Sequence, residues 1–316
     1  MCIVKKILKV FLFLILTVAA LVLLAISGLN IAKFVIYRDY YKAEDALCRN
    51  PGLGDGFICQ GIAYADGMDV ILVSGYMKDK RASRIYVTDL DTNSYYVTLN
   101  RDGKTYTGHA GGIAVSGGIV YIANGSRIYS FLLSDVLNAS NGDDINIGSG
   151  VKINNKASFI YTDDSYLYVG SYMNKDTDIV EEHVFDTAEG THYAICSAYP
   201  ISDLSKPERV YSIRNKVQGI CFSPEGKVVM STSEGITSSG YHVYDLDDAV
   251  YSGKNLDGAP LYYLDNLESE VYGPAMAEGL DYYDGKIITL TESASDKYLF
   301  GKLFFAFDIV SLDILD

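Results

Sequence analysis

The chain has 316 residues, and its 26 Lys and Arg against 40 Asp and Glu give a formal net charge of −14 at pH 7. Five of the basic residues precede the first acidic one, Asp39, so the remainder has 21 basic against 40 acidic residues. Such a surface repels phosphate backbones, which excludes nucleic acid as a partner. The length accommodates a membrane segment and one large all-β domain.

The first feature along the chain is an apolar stretch. Residues 10–32 are 23 consecutive uncharged, mostly apolar positions, and at about 1.5 Å per residue they exceed a hydrocarbon core of about 30 Å. We therefore predict a transmembrane helix. Lys5, Lys6 and Lys9 precede it, so residues 1–9 are expected in the cytoplasm and the rest of a single-pass cell-membrane protein outside it.

A cleaved signal peptide is the alternative for the same stretch. Ala25 and Ser27, just before Gly28, have the small side chains and the spacing that signal peptidase recognises. The hydrophobic run is longer than the usual signal core of about 7 to 15 residues, which favours a retained anchor. Residues 33–55 then form a juxtamembrane segment, in which Tyr37, Tyr40 and Tyr41 are expected to be interfacial anchors.

From residue 56 to 316 the sequence repeats one pattern five times. A small residue opens an apolar run, an Asp/Gly/Ser-rich turn follows, and a β-branched run ends it, which is the pattern of a hairpin. The small residues are separated by 51, 46, 61 and 60 positions: Gly61, Gly112, Ser158, Gly219 and Gly279. Further strand-like segments follow each hairpin, so each repeat corresponds to about four strands.

Sets of four strands at a regular period predict an all-β fold, a β-propeller of five four-stranded blades. A β-sandwich is the alternative, but sandwiches rarely repeat one hairpin pattern at near-constant spacing. The small residue would lie where the inner strands converge on the axis. Because few residues follow Gly279, we expect part of the segment before residue 56 to supply the outer strand of the last blade.

Four cysteines lie beyond the membrane segment: Cys48, Cys59, Cys196 and Cys221. They allow three disulfide pairings, and four buried thiols are the alternative, because Cys59 and Cys221 occupy apolar strand positions. The longest interruption, in the third repeat, has carboxylates and two histidines whose spacing matches no metal-ligand set. This spacing favours a solvated loop at the blade edge over a metal site. The acidic residues and histidines of the interruption are Asp176, Asp178, Glu181, Glu182, His183, Asp186, Glu189 and His192.

The sequence contains no nucleophile, dinucleotide, phosphate-loop or metalloprotease motif. Candidate residues are therefore positional. The start of each inner strand and the end of its antiparallel neighbour meet on one face of a propeller, and this face would collect Gln60, His109, Gln218 and Glu278 from strand starts, and Tyr76, Tyr172, Glu234 and Glu292 from strand ends. Amide, carboxylate and tyrosine groups there suit a hard cation such as calcium or a small polar ligand. The alternative is that they only hydrogen-bond neighbouring blades.

Two segments resemble a known group of propellers. Ala277-Glu278-Gly279-Leu280 and Val217-Gln218-Gly219-Ile220, each followed by an Asp-Gly or Glu-Gly turn, are similar to the inner hairpins of lactonase, gluconolactonase and strictosidine-synthase-like propellers. In those families acidic and amide residues at the hub hold calcium or a related divalent ion, and some members hydrolyse lactones. The resemblance implies the fold, and Glu278 as a metal ligand; Gln60 and Gln218 carry an amide in place of a carboxylate.

Two functions follow as hypotheses. The first is a membrane-anchored binding or scaffold module at the cell surface, with a glycan, a protein or a small polar molecule as its partner. The second is a divalent-metal-dependent, lactonase-like hydrolase with its site at the hub.

Overall fold

The computed structural model describes residues 2–91, 93–173 and 179–315, with side chains from residue 4 onward. Helix α1 (Cys2–Ile36) has no proline and consists largely of Leu, Ile, Val, Ala and Phe. Its segment Val4–Ile36 is long and apolar enough to cross a membrane. No residue of its most hydrophobic 18-residue stretch is buried against the propeller. The predicted apolar helix is confirmed, and it extends beyond residues 10–32 at both ends.

A short helix and the first strand follow: α2 (Arg38–Ala43) and β1 (Glu44–Arg49). Blade 1 then contains β2 (Phe57–Ala65), β3 (Val70–Met77), β4 (Arg84–Asp89), β5 (Ser94–Arg101) and β6 (Lys104–Thr105). Blade 2 begins with β7 (Gly112–Ser116) and β8 (Ile119–Leu132). After helix α3 (Leu133–Leu137), β9 (Asp144–Asn146) returns to pair in parallel with β5, and β10 (Val151–Ala157) completes blade 2 beside β8.

Blade 3 contains β11 (Phe159–Thr162) and β12 (Tyr166–Gly170); a separate hairpin of β13 (Phe185–Thr187) and β14 (Gly190–His192) precedes β15 (Ala194–Pro200) and β16 (Arg209–Ile213). Blade 4 contains β17 (Val217–Phe222), β18 (Lys227–Thr232) and β19 (Ser239–Asp245). Strands β20 (Val250–Leu256) and β21 (Ala259–Tyr263) return to the outside of blade 3, and β22 (Leu267–Gly273) completes blade 4.

Blade 5 contains β23 (Ala277–Tyr283), β24 (Lys286–Thr291) and β25 (Asp308–Leu312). Its outermost strand is β1, which pairs antiparallel with β25 from Glu44 opposite Leu312 to Arg49 opposite Asp308. The expected closure of the ring by the segment before residue 56 is confirmed. A buried apolar cluster between blades 5 and 1 includes Cys48, Phe57 and Ile288 and packs the two ends of the domain together.

The five-bladed propeller is confirmed within the described ranges, since the inner strands β2, β7, β11, β17 and β23 contact one another in a closed ring. The number of strands differs among the blades: blades 4 and 5 have the predicted four, blade 2 has three, and blades 1 and 3 have six each. In blade 1 the short β6 continues the chain after β5 and pairs with it antiparallel. The other extra strands, β9 in blade 1 and β20 with β21 in blade 3, come from connections inside the following blade. Each of these returns to the open edge of the preceding blade and pairs with it in parallel, which satisfies backbone groups that an edge leaves unpaired.

The predicted crowding at the axis is also present. An added Cβ atom would lie 2.7 Å from the Ile113 nitrogen at Gly61, 2.8 Å from the Leu280 nitrogen at Gly219 and 2.9 Å from the Ile62 nitrogen at Gly279. Each of these nitrogens belongs to the inner strand of another blade. Glycine is therefore required at these three positions because two backbones approach each other closely. The φ angles there are ordinary and would allow other residues.

All four cysteines beyond α1 are buried free thiols. Burial raises the pKa of Cys48 to about 11 and holds the pKa of Cys59, Cys196 and Cys221 above its usual range. Of the two alternatives that the sequence left open, the structure has the buried thiols, and these act as small apolar residues.

The interruption in the third repeat forms a 3₁₀ turn at Glu181–His183 and the hairpin β13–β14. Asp176 and Asp178 lie outside the described residues. His192 is buried, with its Nδ1 3.3 Å from the Ser212 hydroxyl. Among the described residues no group of three His, Cys, Asp or Glu side chains could hold a metal ion.

The hub packing gives a direct test. Gly279→Ala should lower the free energy of unfolding by about 1 to 3 kcal/mol, because the new methyl group meets backbone that cannot move aside. Gly54→Ala is the matched control: nothing lies within 4 Å of its added Cβ, and a change within about 0.5 kcal/mol is expected. Denaturant titration followed by circular dichroism measures both, and equal effects of the two substitutions would contradict the packing argument.

Candidate binding site at the hub

The site begins with an irregularity at the start of three inner strands. The β2–β3 ladder shifts register between Cys59 and Gly61, and the β17–β18 ladder shifts between Val217 and Gly219. The β23–β24 ladder shifts between Ala277 and Leu280. A bulge of this kind removes one residue from regular pairing and redirects its side chain. The residues concerned are Gln60, Gln218 and Glu278, each directly before the glycine that the hub requires.

These side chains line a cavity of about 290 Å³ at one end of the axis. Five of the eight predicted residues line it together: Gln60, His109, Tyr172, Gln218 and Glu278. Asn124 and Ser158 complete the polar part of the wall. Because the chain supplies these groups from all five blades, the cavity exists only when the ring is closed.

The other three predicted residues lie behind or beside this wall. The Tyr76 ring packs on the His109 ring with 4.6 Å between centroids. Glu292 accepts a hydrogen bond from the Gln60 amide at 3.0 Å and another from the Tyr298 hydroxyl. Glu234 forms an ion pair with Lys216 and is largely exposed, so it belongs to the rim.

Lys297 and Tyr298 were missed by the sequence reasoning. Both come from residues 292–307, the connection between β24 and β25. Lys297 donates to the Tyr76 hydroxyl, and its charge acts on Glu278, Glu292 and His109. The sequence pattern of the repeats does not place this connection against blade 1.

Glu278 is the most unusual group of the site. It is 4% exposed, and its carboxyl has no hydrogen-bond partner among the described side chains and backbone. Burial, and then the negative charge of Glu292, raise the pKa of Glu278 well above its usual range, and Lys297 opposes them. The raised pKa favours the neutral carboxyl over the carboxylate, and a neutral carboxyl can both donate and accept a hydrogen bond.

His109 is neutral for related reasons. Burial lowers its pKa, and the nearby Lys297 ammonium lowers it further. In the cavity wall burial therefore shifts both Glu278 and His109 toward their neutral forms, although the protein as a whole is acidic.

This donor set fits a divalent cation poorly. Calcium takes six to eight oxygen ligands, several of them carboxylates, whereas the cavity has one buried carboxyl, with the Lys297 ammonium acting on it. In the residues that the structure describes, no three His, Cys, Asp or Glu groups could hold a metal. The assignment of Glu278 as a metal ligand stays a prediction.

A second cavity, of about 300 Å³, lies at the opposite end of the axis, where the inner strands end. Asp281 lines it and accepts hydrogen bonds from the backbone N–H of Tyr64 at 2.7 Å and of Tyr282 at 2.8 Å. Burial raises the pKa of Asp281 to about 7. The Asp281 carboxyl is hydrogen-bonded across the contact between blades 1 and 5. It therefore differs from the Glu278 carboxyl of the first cavity, which has no hydrogen bond with the described residues.

No protein-family model and no curated protein matches the chain. Similar solved structures include the PQQ-bound aldose sugar dehydrogenase of Streptomyces coelicolor, at 16% identity over 78% of this chain and 76% of that chain, with a TM-score of 0.47. Another is a putative oxidoreductase (glucose dehydrogenase) of Thermus thermophilus, at 12% identity over 85% and 99% of the two chains, with a TM-score of 0.42. Likeness at this level carries no information on the chemistry of this chain; the propeller itself is established by its strand pairing.

Glu278 gives a pH test. The pKa of Glu278 in the folded state lies above its value of about 4.3 in the unfolded chain. Above pH 4.3 the folded protein therefore holds a proton that the unfolded chain has lost. The contribution of Glu278 to the free energy of unfolding falls as the pH rises through this window. The stability of the wild type should fall relative to Glu278→Gln by up to about 1.4 kcal/mol per pH unit in this window. Unfolding midpoints at pH 4.5, 6 and 7.5 measure the difference.

Asp281 also has a raised pKa, but it lies at the other end of the axis and remains in the variant, so its effect cancels in the comparison. Glu292 acts on Glu278 through its charge, so the difference between the two profiles reports the titration of this pair. Parallel pH profiles for the two proteins would contradict the raised pKa of Glu278.

Proposed function

We propose that the protein is a membrane-anchored binding module whose hub cavity holds a small, uncharged, hydroxyl-rich molecule of monosaccharide size. The observation that carries the proposal is the cavity itself, with the buried, unpartnered Glu278 in a wall of neutral polar groups. The Glu278 carboxyl borders the cavity and forms no hydrogen bond with the described residues there, so it is available to a ligand. A ligand hydroxyl in the cavity would supply a hydrogen-bond partner.

The hydrogen bonds of the two glutamines favour the same ligand class. Gln60 uses its amide nitrogen on the Cys59 carbonyl and on Glu292, and Gln218 uses its amide nitrogen on the Ser233 hydroxyl. Their amide oxygens accept no hydrogen bond from the described residues, so they are available to donors. Hydroxyl groups are donors, and they carry no charge that would have to be buried.

The size and the aromatic groups agree with this class. About 290 Å³ is at the lower end of the range of small-molecule sites, which suits one sugar ring. The rings of His109 and Tyr172 line the cavity and offer apolar faces to the C–H groups of such a ring. The metal-dependent hydrolase has no comparable support in the geometry, and the same experiment distinguishes it.

The test is a melting experiment with glucose, galactose, mannose and ribose, and separately with calcium, magnesium and manganese. At least one neutral sugar should raise the melting temperature of the wild type, because a ligand that binds only the folded state stabilises it. Glu278→Gln should keep this effect, since an amide, like a neutral carboxyl, can both donate and accept a hydrogen bond. Gln218→Leu should weaken binding at least about tenfold, which corresponds to the loss of about 1.4 kcal/mol.

Asp66→Ala is the matched control, because Asp66 lines the cavity at the other end of the axis and is exposed; sugar binding should not change. Stabilisation by a divalent cation that Glu278→Gln abolishes, without any response to sugars, would replace this proposal with the metal-dependent alternative.

The anchoring belongs to the same proposal: α1 crosses the cell membrane with residues 1–9 in the cytoplasm and the propeller outside. The three lysines before the apolar stretch support this orientation. A membrane-impermeant maleimide tests it, because the four buried thiols give little background. In intact cells Met68→Cys, at an exposed turn, should be labelled, and the native Cys2 should react only after lysis; the reverse pattern would refute the orientation.

A further inference from the structure

The apolar helix meets the propeller at the face that carries the hub cavity. The Tyr37 hydroxyl lies 3.2 Å from that of Ser238, and the Lys33 ammonium lies 5.3 Å from the centre of the Phe305 ring. Ser238 belongs to the connection after β18 and Phe305 to the connection after β24. Both connections leave strand ends at the cavity side of the ring, where Glu234 and Glu292 also lie.

Beyond this junction the chain is held firmly. Tyr40 of α2 is 2% exposed, and its ring is partly stacked on that of Tyr241, with 5.9 Å between centroids. An added Cβ atom at Gly273 of β22 would lie 2.6 Å from the Tyr40 ring. The helix therefore does not join the propeller through a free linker, and its position relative to the cavity face is fixed.

The same two connections carry the most exposed large apolar side chains of the propeller. Leu299 is 86% exposed, Ile236 75% and Phe300 69%. A single exposed apolar residue is ordinary. Here three of them lie on the connections that contact α1 or the adjoining Tyr37. The end of α1 is also apolar and exposed, at Val35 and Ile36, so the exposed apolar side chains lie close to one another.

Lys33 indicates where the membrane surface would lie. Its ammonium lies 4.9 Å from the centre of the Phe34 ring and 5.0 Å from that of Tyr41. A lysine with aromatic neighbours at the end of an apolar helix is typical of the interface between hydrocarbon and water. The connection that supplies Phe305 contacts α1 at this level through the 3₁₀ turn Gly301–Phe304.

We propose that the apolar tips of these connections, Leu299 with Phe300 and Ile236, insert into the interface of the lipid bilayer, so that the propeller lies with its cavity face toward the membrane. The proposal rests on the membrane anchoring stated above. The bilayer is the occupant because the tips continue the lipid-facing surface of α1. Residues 292–307 then contact lipid with their tip and support the cavity wall from behind, since Glu292 accepts a hydrogen bond from Gln60 and Lys297 donates one to Tyr76.

The orientation limits what can reach the cavity. Its ligand enters between the propeller and the bilayer surface, which favours a hydroxyl-rich group presented at that surface, such as the sugar headgroup of a glycolipid, over a large soluble glycan. Binding of a free sugar in the cavity does not depend on how the propeller lies on the membrane. The proposed sugar binding and the proposed insertion can therefore be refuted independently.

Tryptophan reporters test the insertion, because the chain contains no native tryptophan. Leu16→Trp in the middle of α1, Phe300→Trp, Ile236→Trp and Met68→Trp are each placed in the full-length protein in phosphatidylcholine vesicles with brominated acyl chains. Met68 is 56% exposed, at a turn on the opposite side of the ring. Quenching and a blue-shifted emission are expected for Leu16→Trp, Phe300→Trp and Ile236→Trp, and neither for Met68→Trp.

If Leu16→Trp is quenched while Phe300→Trp and Ile236→Trp behave like Met68→Trp, the insertion is refuted and the anchor stands. If Leu16→Trp is not quenched, the anchor itself is refuted, and the insertion with it. Emission of Phe300→Trp that is blue-shifted without quenching and that changes on dilution would show that a second copy of the chain covers the tips, which also overturns the proposal.

Discussion

The inner strands of the five blades approach so closely that a Cβ atom on Gly61, Gly219 or Gly279 would lie within 3 Å of a neighbouring backbone. The ring cannot close with larger residues at these positions. The bulge before each of these glycines follows from the same crowding. Where the glycine approaches the neighbouring strand, the residue before it leaves the regular pairing and its side chain turns out of the ladder. Gln60, Gln218 and Glu278 are these side chains, so the packing that closes the ring also supplies the wall of the cavity.

Closure has a second component at the edge of the ring. Strand β1 completes blade 5, and it follows directly on α2 and the apolar helix. The helix is thus joined to the propeller by a strand of the fold and by buried Tyr40. This explains how a single membrane segment could set the orientation of a whole domain, which a flexible linker could not do.

The electrostatics of the site depend on its depth. An acidic chain would be expected to have a negative mouth, yet burial raises the pKa of Glu278 and lowers that of His109, so both groups are shifted toward their neutral forms. Lys297 reaches the same place from the connection after β24 and partly balances Glu292. The result is a polar cavity in which burial disfavours charge, inside an acidic protein.

The sequence alone determined the apolar helix, the five blades and the face on which the candidate residues meet, because hydrophobic length, hairpin periodicity and antiparallel geometry are local properties of the chain. Five of the eight candidates line the cavity for that reason. Only the tertiary structure decided which connections return to the preceding blade, that Lys297 reaches Tyr76, and that Glu234 lies at the rim, since these depend on contacts between residues far apart in the chain. The raised pKa of Glu278 was also decided there, because the pKa of a carboxyl follows from the burial and the charges that the folded ring brings around it.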